Sequence, residues 1–161
     1  MKKVELLAPA GDLEKLKIAL DYGADGAYCG GQCFGLRAGA RNFSIDQLAE
    51  GVEYAHSRGK KVYLLDTYLK EMAKIPLDAF IVSDPGILTE IREHFPEAEI
   101  HLSTQANTTN YKSAIFWHRQ GVKRIVLARE LSLNEIKELR ERTPSTLELE
   151  VFIHGSMCVS Y

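Results

Sequence analysis

Short apolar runs rich in β-branched residues alternate along the chain with segments of helical periodicity, at a nearly constant interval. This alternation is typical of repeated βα units that build a parallel sheet. Seven strands are predicted, at Val4–Leu7, Gly26–Cys29, Lys61–Leu64, Ala79–Ser83, Glu99–Leu102, Arg124–Ala128 and Leu149–Ile153. The predicted helices are Leu13–Tyr22, Ile45–Arg58, Asp66–Ala73, Ile87–His94, Tyr111–Gln120 and Leu133–Arg142. No linker interrupts the pattern, so residues 1–161 are predicted to form a single domain.

The predicted helices carry capping signals. Asp12 is a predicted N-cap, and capping boxes are predicted for Ser44 with Gln47 and for Ser132 with Glu135. Three glycines fall just after helices, where a left-handed residue ends the last turn: Gly23, Gly59 and Gly121. These signals predict where each βα unit begins and ends.

Two α/β folds fit this pattern, an open doubly wound sheet and a (β/α)8 TIM barrel. No glycine-rich dinucleotide loop follows the first strand, so we favour the barrel. Seven strands would leave it incomplete, without its last strand, and we expect the chain to be the N-terminal fragment of a longer protein. The two unpaired strand edges of such a fragment would favour a homodimer.

The composition limits the cellular setting. The net charge of -2 and the sequence pI of about 6.2 give no overall basic field, so an RNA substrate would need a local basic patch. No apolar run approaches the ~20 residues of a membrane span. Three cysteines without a paired framework fit a reducing compartment. We therefore expect a cytoplasmic protein without a membrane partner.

Polar residues follow most of the predicted strands, which is where a TIM barrel carries its active site. Ser103 and Gln105 directly follow a buried strand, and with Asn110 they predict a hydrogen-bonding wall, with helix capping as the alternative. Asp84 lies in a Ser-Asp-Pro-Gly segment that either binds substrate or forms a turn before a helix. Three further candidates follow later strands: Arg129, Glu130 and His154.

A long loop from Gly30 to Asn42 is predicted to be a basic, flexible surface over these strand ends. It contains Arg37 and Arg41, and the aromatic residues Phe34 and Phe43 lie within it or beside it. Such a surface could bind an anionic substrate or a nucleotide base. Two solvated arginines on a lid are the alternative.

The cysteines and histidines leave several chemistries open. Cys29 and Cys33 have no second pair at zinc spacing, so Cys29 is more simply a core residue. Cys158 lies near His154, past the end of a predicted strand, and its thiolate could be a nucleophile or a metal ligand. A hydrolase could combine Ser103 or Cys158 with His154 and with Glu130 or Asp84. The remaining histidines are interpreted as surface or packing residues: His56, His94, His101 and His118.

Several segments, taken in order, resemble the collagenase-like peptidase family U32 in its N-terminal, barrel-like portion. They are Glu5–Asp12, Phe34–Ala38, Asn42–Ser44, Ser83–Gly86, Ser103–Ala106, Val126–Leu131 and Glu150–Cys158. The resemblance implies either peptidase activity or hydroxylation of transfer RNA, ribosomal RNA or a quinone precursor. It also implies an iron–sulfur cluster held by four cysteines, of which Cys158 would be the first and the other three would lie beyond Tyr161. The short connection after Leu64–Leu65 departs from the family pattern, which has a longer loop there.

Three functions follow as hypotheses for the full-length protein. The first is iron–sulfur-dependent hydroxylation of RNA or of a small aromatic substrate, with Cys158 as a cluster ligand. In this hypothesis the pocket is lined by Arg37, Asn42, Ser103, Gln105, Arg129, Glu130 and His154. The second is proteolysis of a protein or peptide substrate, and the third is a non-catalytic subunit that binds RNA or a partner through the Arg37 and Arg41 loop. The fragment alone is predicted to be inactive.

Overall fold

A computed structural model describes residues 4–30, 43–65 and 75–155 of the chain. Its strands are β1 (Leu7–Pro9), β2 (Gly26–Gly30), β3 (Lys61–Leu65), β4 (Ala79–Val82), β5 (Ile100–Leu102), β6 (Arg124–Val126) and β7 (Glu148–Glu150). Its α-helices are α1 (Leu13–Asp21), α2 (Ile45–His56), α3 (Pro85–His94), α4 (Tyr111–Arg119) and α5 (Leu133–Arg142), and a short 3-10 helix spans Thr104–Ala106.

The strands follow chain order from β1 to β7 in one sheet. Neighbouring strands pair in parallel from β1 to β4 and again from β5 to β7. This is the TIM-barrel-like α/β arrangement predicted from the sequence, with seven strands in place of the eight of a complete barrel. None of the helices in the described part of the chain is both long and apolar enough to cross a bilayer.

The chain divides into two compact units, and the first comprises Met1–Ile81 with Gly86–Ala98. On one face of its sheet Tyr63, Ala79 and Ile81 are at most 4% exposed and form an apolar cluster. Successive strand residues point to opposite faces, so Leu64 and its register partner Phe80 lie on the other face. The Phe80 ring contacts the ring of Phe95, just beyond α3, at a centroid distance of 5.3 Å.

The second unit comprises Val82–Pro85 with Glu99–Tyr161. Leu102 pairs in register with Ile125, and both side chains are buried on one face of the sheet. The opposite face carries His101, Arg124 and Glu148, which are also in register with one another. This face is therefore charged.

The predicted caps are confirmed. The Asp12 carboxylate accepts a hydrogen bond from the Lys15 N–H, and both predicted capping boxes form, at Ser44 and at Ser132. Gly23, Gly59 and Gly121 all have positive φ. Helix α3 begins at Pro85, two residues before the predicted start, because proline is favoured in the first helical turn.

Two strand predictions were displaced. β1 begins at Leu7, because the Leu6 N–H donates to the Asp25 carboxylate and Val4 is 86% exposed. β7 ends at Glu150, the register partner of the last residue of β6, and Ile153 beyond it is exposed. The predicted helix Asp66–Ala73 lies outside the described residues.

Candidate active site at the carboxyl ends of β5, β6 and β7

The loop after β5 is tied to the chain after β6 by hydrogen bonds. The Thr104 hydroxyl donates to the Leu127 carbonyl at 3.1 Å, and the Ala128 N–H donates to the Thr108 carbonyl at 3.5 Å. Asn107 turns the loop with a left-handed φ of 51°, a conformation that asparagine tolerates better than most residues. These bonds hold the two strand exits side by side.

Two of the predicted wall residues act as caps. The Ser103 hydroxyl accepts a long hydrogen bond from the Gln105 N–H at the start of the 3-10 helix, and the Asn110 side chain accepts one from the Ser113 N–H at the start of α4. Capping was the alternative interpretation of both residues. Gln105 itself is exposed, on the same short helix.

Thr108 lies deeper in this loop than any sequence signal indicated. It is fully buried, and its hydroxyl finds no hydrogen-bond partner among the described residues. An unpaired buried hydroxyl costs free energy unless another group satisfies it. Thr108 therefore marks a polar position within the wall that the sequence did not reveal.

Arg129 is oriented by an aromatic ring and by the backbone of a neighbouring loop. Its guanidinium stacks on the ring of Phe152, just after β7, with 3.8 Å between the guanidinium carbon and the ring centroid. A Cβ added at Gly155 would lie 3.6 Å from Arg129 Nη2, so the guanidinium also lies against this backbone. Gly155 has φ +138°, a conformation that a side chain would strain. The arrangement fixes a planar cation at the ends of β6 and β7.

Glu130 and His154 lie next to this pair in the sequence and are exposed. Within the described ranges, Ser103, Glu130 and His154 are not joined by any hydrogen bond or ion pair. Asp84 is exposed and lies immediately before α3. Four further predicted site residues lie outside the described residues: Arg37, Arg41, Asn42 and Cys158.

Phe43 was wrongly placed in the basic loop surface. It is only 3% exposed, and its N–H donates to the Gly30 carbonyl at the end of β2. The side chain is therefore part of the core. Burying a phenylalanine side chain stabilises the folded state by about 1.5–3 kcal/mol.

The charged face of the second unit contains residues that the sequence analysis missed. Arg124 is 8% exposed, and its guanidinium contacts the Glu148 carboxylate at 2.7 Å and the Glu150 carboxylate at 3.5 Å. His101, interpreted from the sequence as a packing residue, is fully buried and hydrogen-bonded to Glu99 at 2.8 Å. We call these five residues the charged face.

Burial lowers the pKa of His101, because the imidazolium form loses its hydration, and the nearby positive charge of Arg124 lowers it further. The hydrogen bond to Glu99 and the charges of Glu99 and Glu148 act in the opposite direction. The net effect favours neutral histidine beside the Arg124 ion pairs. The alternation Glu-Leu-Glu in β7 was the sequence signal that could have indicated this face.

The described residues do not form a metal centre. They contain no group of three or more histidine, cysteine or acidic side chains that could hold a metal ion. Cys29 is buried, as predicted, and burial raises the pKa of its thiol to about 12, so the free thiol stays protonated at neutral pH. The predicted cluster ligand Cys158 lies outside the described residues, so the iron–sulfur cluster stays a prediction.

The chain is a TIM-barrel-like α/β protein with polar groups at the carboxyl ends of its strands. The solved structures it resembles share the fold. The U32 peptidase Mk0906 superposes with a TM-score of 0.73 at 18% identity, over 92% of this chain and 68% of that one. A 2,3-dimethylmalate lyase superposes with a TM-score of 0.61 at 14% identity, over 97% and 70%.

The chain belongs to peptidase family U32, whose family model matches residues 11–161. It is 47% identical to the tRNA hydroxylation protein P1 of Bacillus subtilis, over 99% of this chain and 40% of that protein. It is 43% identical to the uncharacterized protease MJ0090 of Methanocaldococcus jannaschii, over 99% and 42%. It is 38% identical to the 23S rRNA 5-hydroxycytidine synthase of Escherichia coli, over 99% and 25%.

The chain thus spans less than half the length of these curated relatives. The alignment with the Bacillus subtilis protein is 173 positions long, more than the 161 residues of the chain, so that relative contains insertions. The family resemblance implies a longer loop after Leu65 in relatives of this chain. The residues that follow Leu65 here lie outside the described ranges.

Proposed function

We propose that the full-length protein hydroxylates RNA in the cytoplasm, with a transfer RNA as the first candidate substrate. The proposal is carried by the fixed guanidinium of Arg129 at the ends of β6 and β7, in a chain 47% identical to a tRNA hydroxylation protein over 99% of its length. The relative that acts on 23S rRNA makes ribosomal RNA the second candidate. A small aromatic substrate remains a hypothesis from the family resemblance.

In this proposal Arg129 binds and orients the substrate. A guanidinium held flat on Phe152 presents a rigid fork of N–H donors, which suits a phosphate or a base carbonyl oxygen. Ser103 and Gln105 contribute the neighbouring polar wall. Glu130 and His154 are our candidates for proton transfer, because they are exposed and form no hydrogen bond or ion pair within the described residues.

The test is nucleoside analysis of RNA from cells that lack the gene and carry a full-length variant. We expect Arg129→Ala to lower the amount of the nucleoside with one added oxygen by about tenfold or more. A hydrogen bond from a charged group contributes about 1.5–3 kcal/mol to substrate binding, which corresponds to at least about tenfold. Arg129→Lys keeps the charge but loses the planar fork, so it should restore only part of the product.

Arg58→Ala is the matched control. Arg58 stacks on the ring of Tyr54 at 3.5 Å in the first unit, so the variant also removes a guanidinium stacked on an aromatic ring. It should leave the product at the parent level. Equal amounts of product in the Arg129→Ala and Arg58→Ala strains would show that Arg129 is not part of the site. The absence of an oxygenated nucleoside in the parent strain would contradict the proposed function.

We also propose that Cys158 is one ligand of an iron–sulfur cluster in the full-length protein. The proposal is supported by the family resemblance, in which the first cluster cysteine matches Cys158, a residue outside the described ranges. Iron and sulfide analysis of anaerobically purified protein should show a cluster that Cys158→Ala abolishes and Cys29→Ala preserves. Metal-free parent protein would contradict this.

Proteolysis is the alternative function, and it is supported by the family description and by the relative described as a protease. It would combine Ser103 or Cys158 with His154 and with Glu130 or Asp84. No hydrogen bond joins Ser103, His154 and Glu130 within the described residues. Cleavage of gelatin that is lost in His154→Ala would support it. The homodimer predicted from the open strand edges stays a prediction, which the mass of the full-length protein in solution can test.

A further inference from the structure

Helix α4 carries an exposed stripe of two cations and one aromatic ring. Lys112, Phe116 and Arg119 are spaced i, i+4 and i+7, so they lie on one face of the helix. Ala114, which is fully buried, lies on the opposite face, so the stripe points to solvent. Phe116 is 55% exposed. We call these three residues the α4 stripe.

The charges of the α4 stripe have no acidic partner within the described residues, whereas six other cations in those residues form ion pairs. Lys17 contacts Glu50 at 2.6 Å, and Arg142 contacts Glu138 at 3.1 Å. Further pairs are Lys15 with Asp12, Arg58 with Asp21, Lys61 with Glu5 and Lys137 with Glu141. An unpaired cation can bind a phosphate without first breaking an ion pair, so the stripe is a local basic site on a chain of net charge -2.

The aromatic ring of the stripe is held in place while it stays accessible. Phe116 packs edge-on against Trp117, with 5.3 Å between ring centroids and a 74° interplanar angle. Holding an exposed ring in one orientation reduces the conformational entropy that a stacked partner would otherwise have to remove. An accessible phenylalanine between two cations is the arrangement that binds an unpaired base and the phosphates on either side of it.

The α4 stripe continues from the candidate site. The polar loop from Ser103 to Asn110 ends at the N-cap of α4, and Lys112 follows two residues later. From Lys112 to Arg119 the stripe covers about 10 Å along the helix axis, at ~1.5 Å per residue. An RNA strand that reaches the ends of β5 and β6 would therefore meet the stripe as it leaves them.

We propose that the α4 stripe is a docking surface for the substrate RNA, in which Lys112 and Arg119 bind backbone phosphates and Phe116 stacks on an unpaired base. This rests on the proposed function for the identity of the substrate. RNA is the occupant that combines negative charge with flat rings, which matches both kinds of side chain in the stripe.

The cations are tested by the affinity of the full-length protein for an unmodified transfer RNA transcript over a series of salt concentrations. Lys112→Ala with Arg119→Ala should weaken binding about tenfold and lower the slope of log affinity against log salt by about 1.5, since each phosphate contact contributes roughly 0.7–0.9. The matched control is Lys60→Ala with Arg92→Ala, which removes the same charge from two cations that also form no ion pair in the described residues. The control should leave affinity and slope unchanged.

The ring is tested separately. Phe116→Ala should weaken binding at least about fivefold without changing the salt slope, because stacking contributes about 1–3 kcal/mol per base. Phe116→Tyr should restore the affinity. Leu133→Ala, which removes another exposed apolar side chain from this unit, should have no effect.

The outcomes separate this inference from the proposed function. If the α4 double variant and its control have equal RNA affinity and equal salt slope, the α4 stripe is not a docking surface for RNA. An acidic protein as the true occupant would give this result. Hydroxylated RNA at the parent level in the double variant, together with unchanged affinity, would leave the proposed function intact. Binding that depends on the stripe without any oxygenated nucleoside would support the surface and contradict the function. A parent protein that does not bind the transcript would overturn the surface.

Discussion

The two units of this chain use the same βα architecture, but one face of each sheet differs in chemistry. In the first unit that face is apolar, with Tyr63, Ala79 and Ile81 in one buried cluster. In the second unit the corresponding strand positions include Arg124 and Glu148, paired at 2.7 Å.

An apolar cluster stabilises by area removed from water, whereas a buried ion pair gains little net free energy because both charges lose hydration. Burial of apolar area therefore contributes more to stability on the first face than ion pairing contributes on the second. The charged face is maintained only while every charge keeps its partner, which is typical of groups retained for specificity or function.

The largest expected effect comes from removing Arg124. Arg124→Ala leaves Glu148 and Glu150 without their shared cation, so we expect the free energy of unfolding of the full-length protein to fall by about 3 kcal/mol, the low end of the range because both carboxylates are partly exposed. Urea denaturation measures it. Arg142→Ala, which removes an exposed ion pair, should cost less than about 1 kcal/mol. A similar loss in both variants would show that the Arg124 ion pairs are no more important for stability than an exposed pair.

The next effect is a pH dependence confined to the charged face. The folded pKa of His101 is lowered, so between that value and the unfolded pKa of about 6.5 the unfolded state binds more protons. The stabilisation that comes from neutral His101 is therefore complete above pH ~6.5 and is lost as the pH falls below that value. The free energy of unfolding should fall by no more than about 1.4 kcal/mol per pH unit from this cause. His101→Gln should lose less stability than the parent between about pH 7 and pH 5.5. If the variant and the parent lose stability equally over this pH range, groups other than His101 cause the pH dependence.

The smallest effect concerns the apolar face. Ile81→Val removes one buried methylene and should cost about 1 kcal/mol of unfolding free energy. The loss should be the same at the two pH values used for His101→Gln, because no titratable group is changed. A loss that grows in acid would mean that the apolar cluster is coupled to the titrating groups.

Much of the fold could be predicted from the chain because its signals are local. Capping side chains lie within three residues of the N–H groups they satisfy, and the boundaries of α5 agreed to the residue. Strand ends were less predictable: β1 and β7 shifted because pairing with a neighbour, and not the local pattern, decides where a strand stops.

The candidate site divides in the same way. The sequence indicated Arg129, Glu130 and His154 because polar residues that follow strands are visible without coordinates. It could not show that Phe152 holds Arg129, since the two residues belong to different strand exits, or that Phe43 is buried.

The order of strands and helices, the helix caps and the family follow from the amino-acid sequence. That His101, Arg124 and Glu148 lie side by side does not, because it depends on the register between strands that are more than 20 residues apart. A one-residue slip would move these charges to the opposite face. Local propensity does not encode such a register, and the packing of buried Leu102 and Ile125 on the other face of the sheet fixes it.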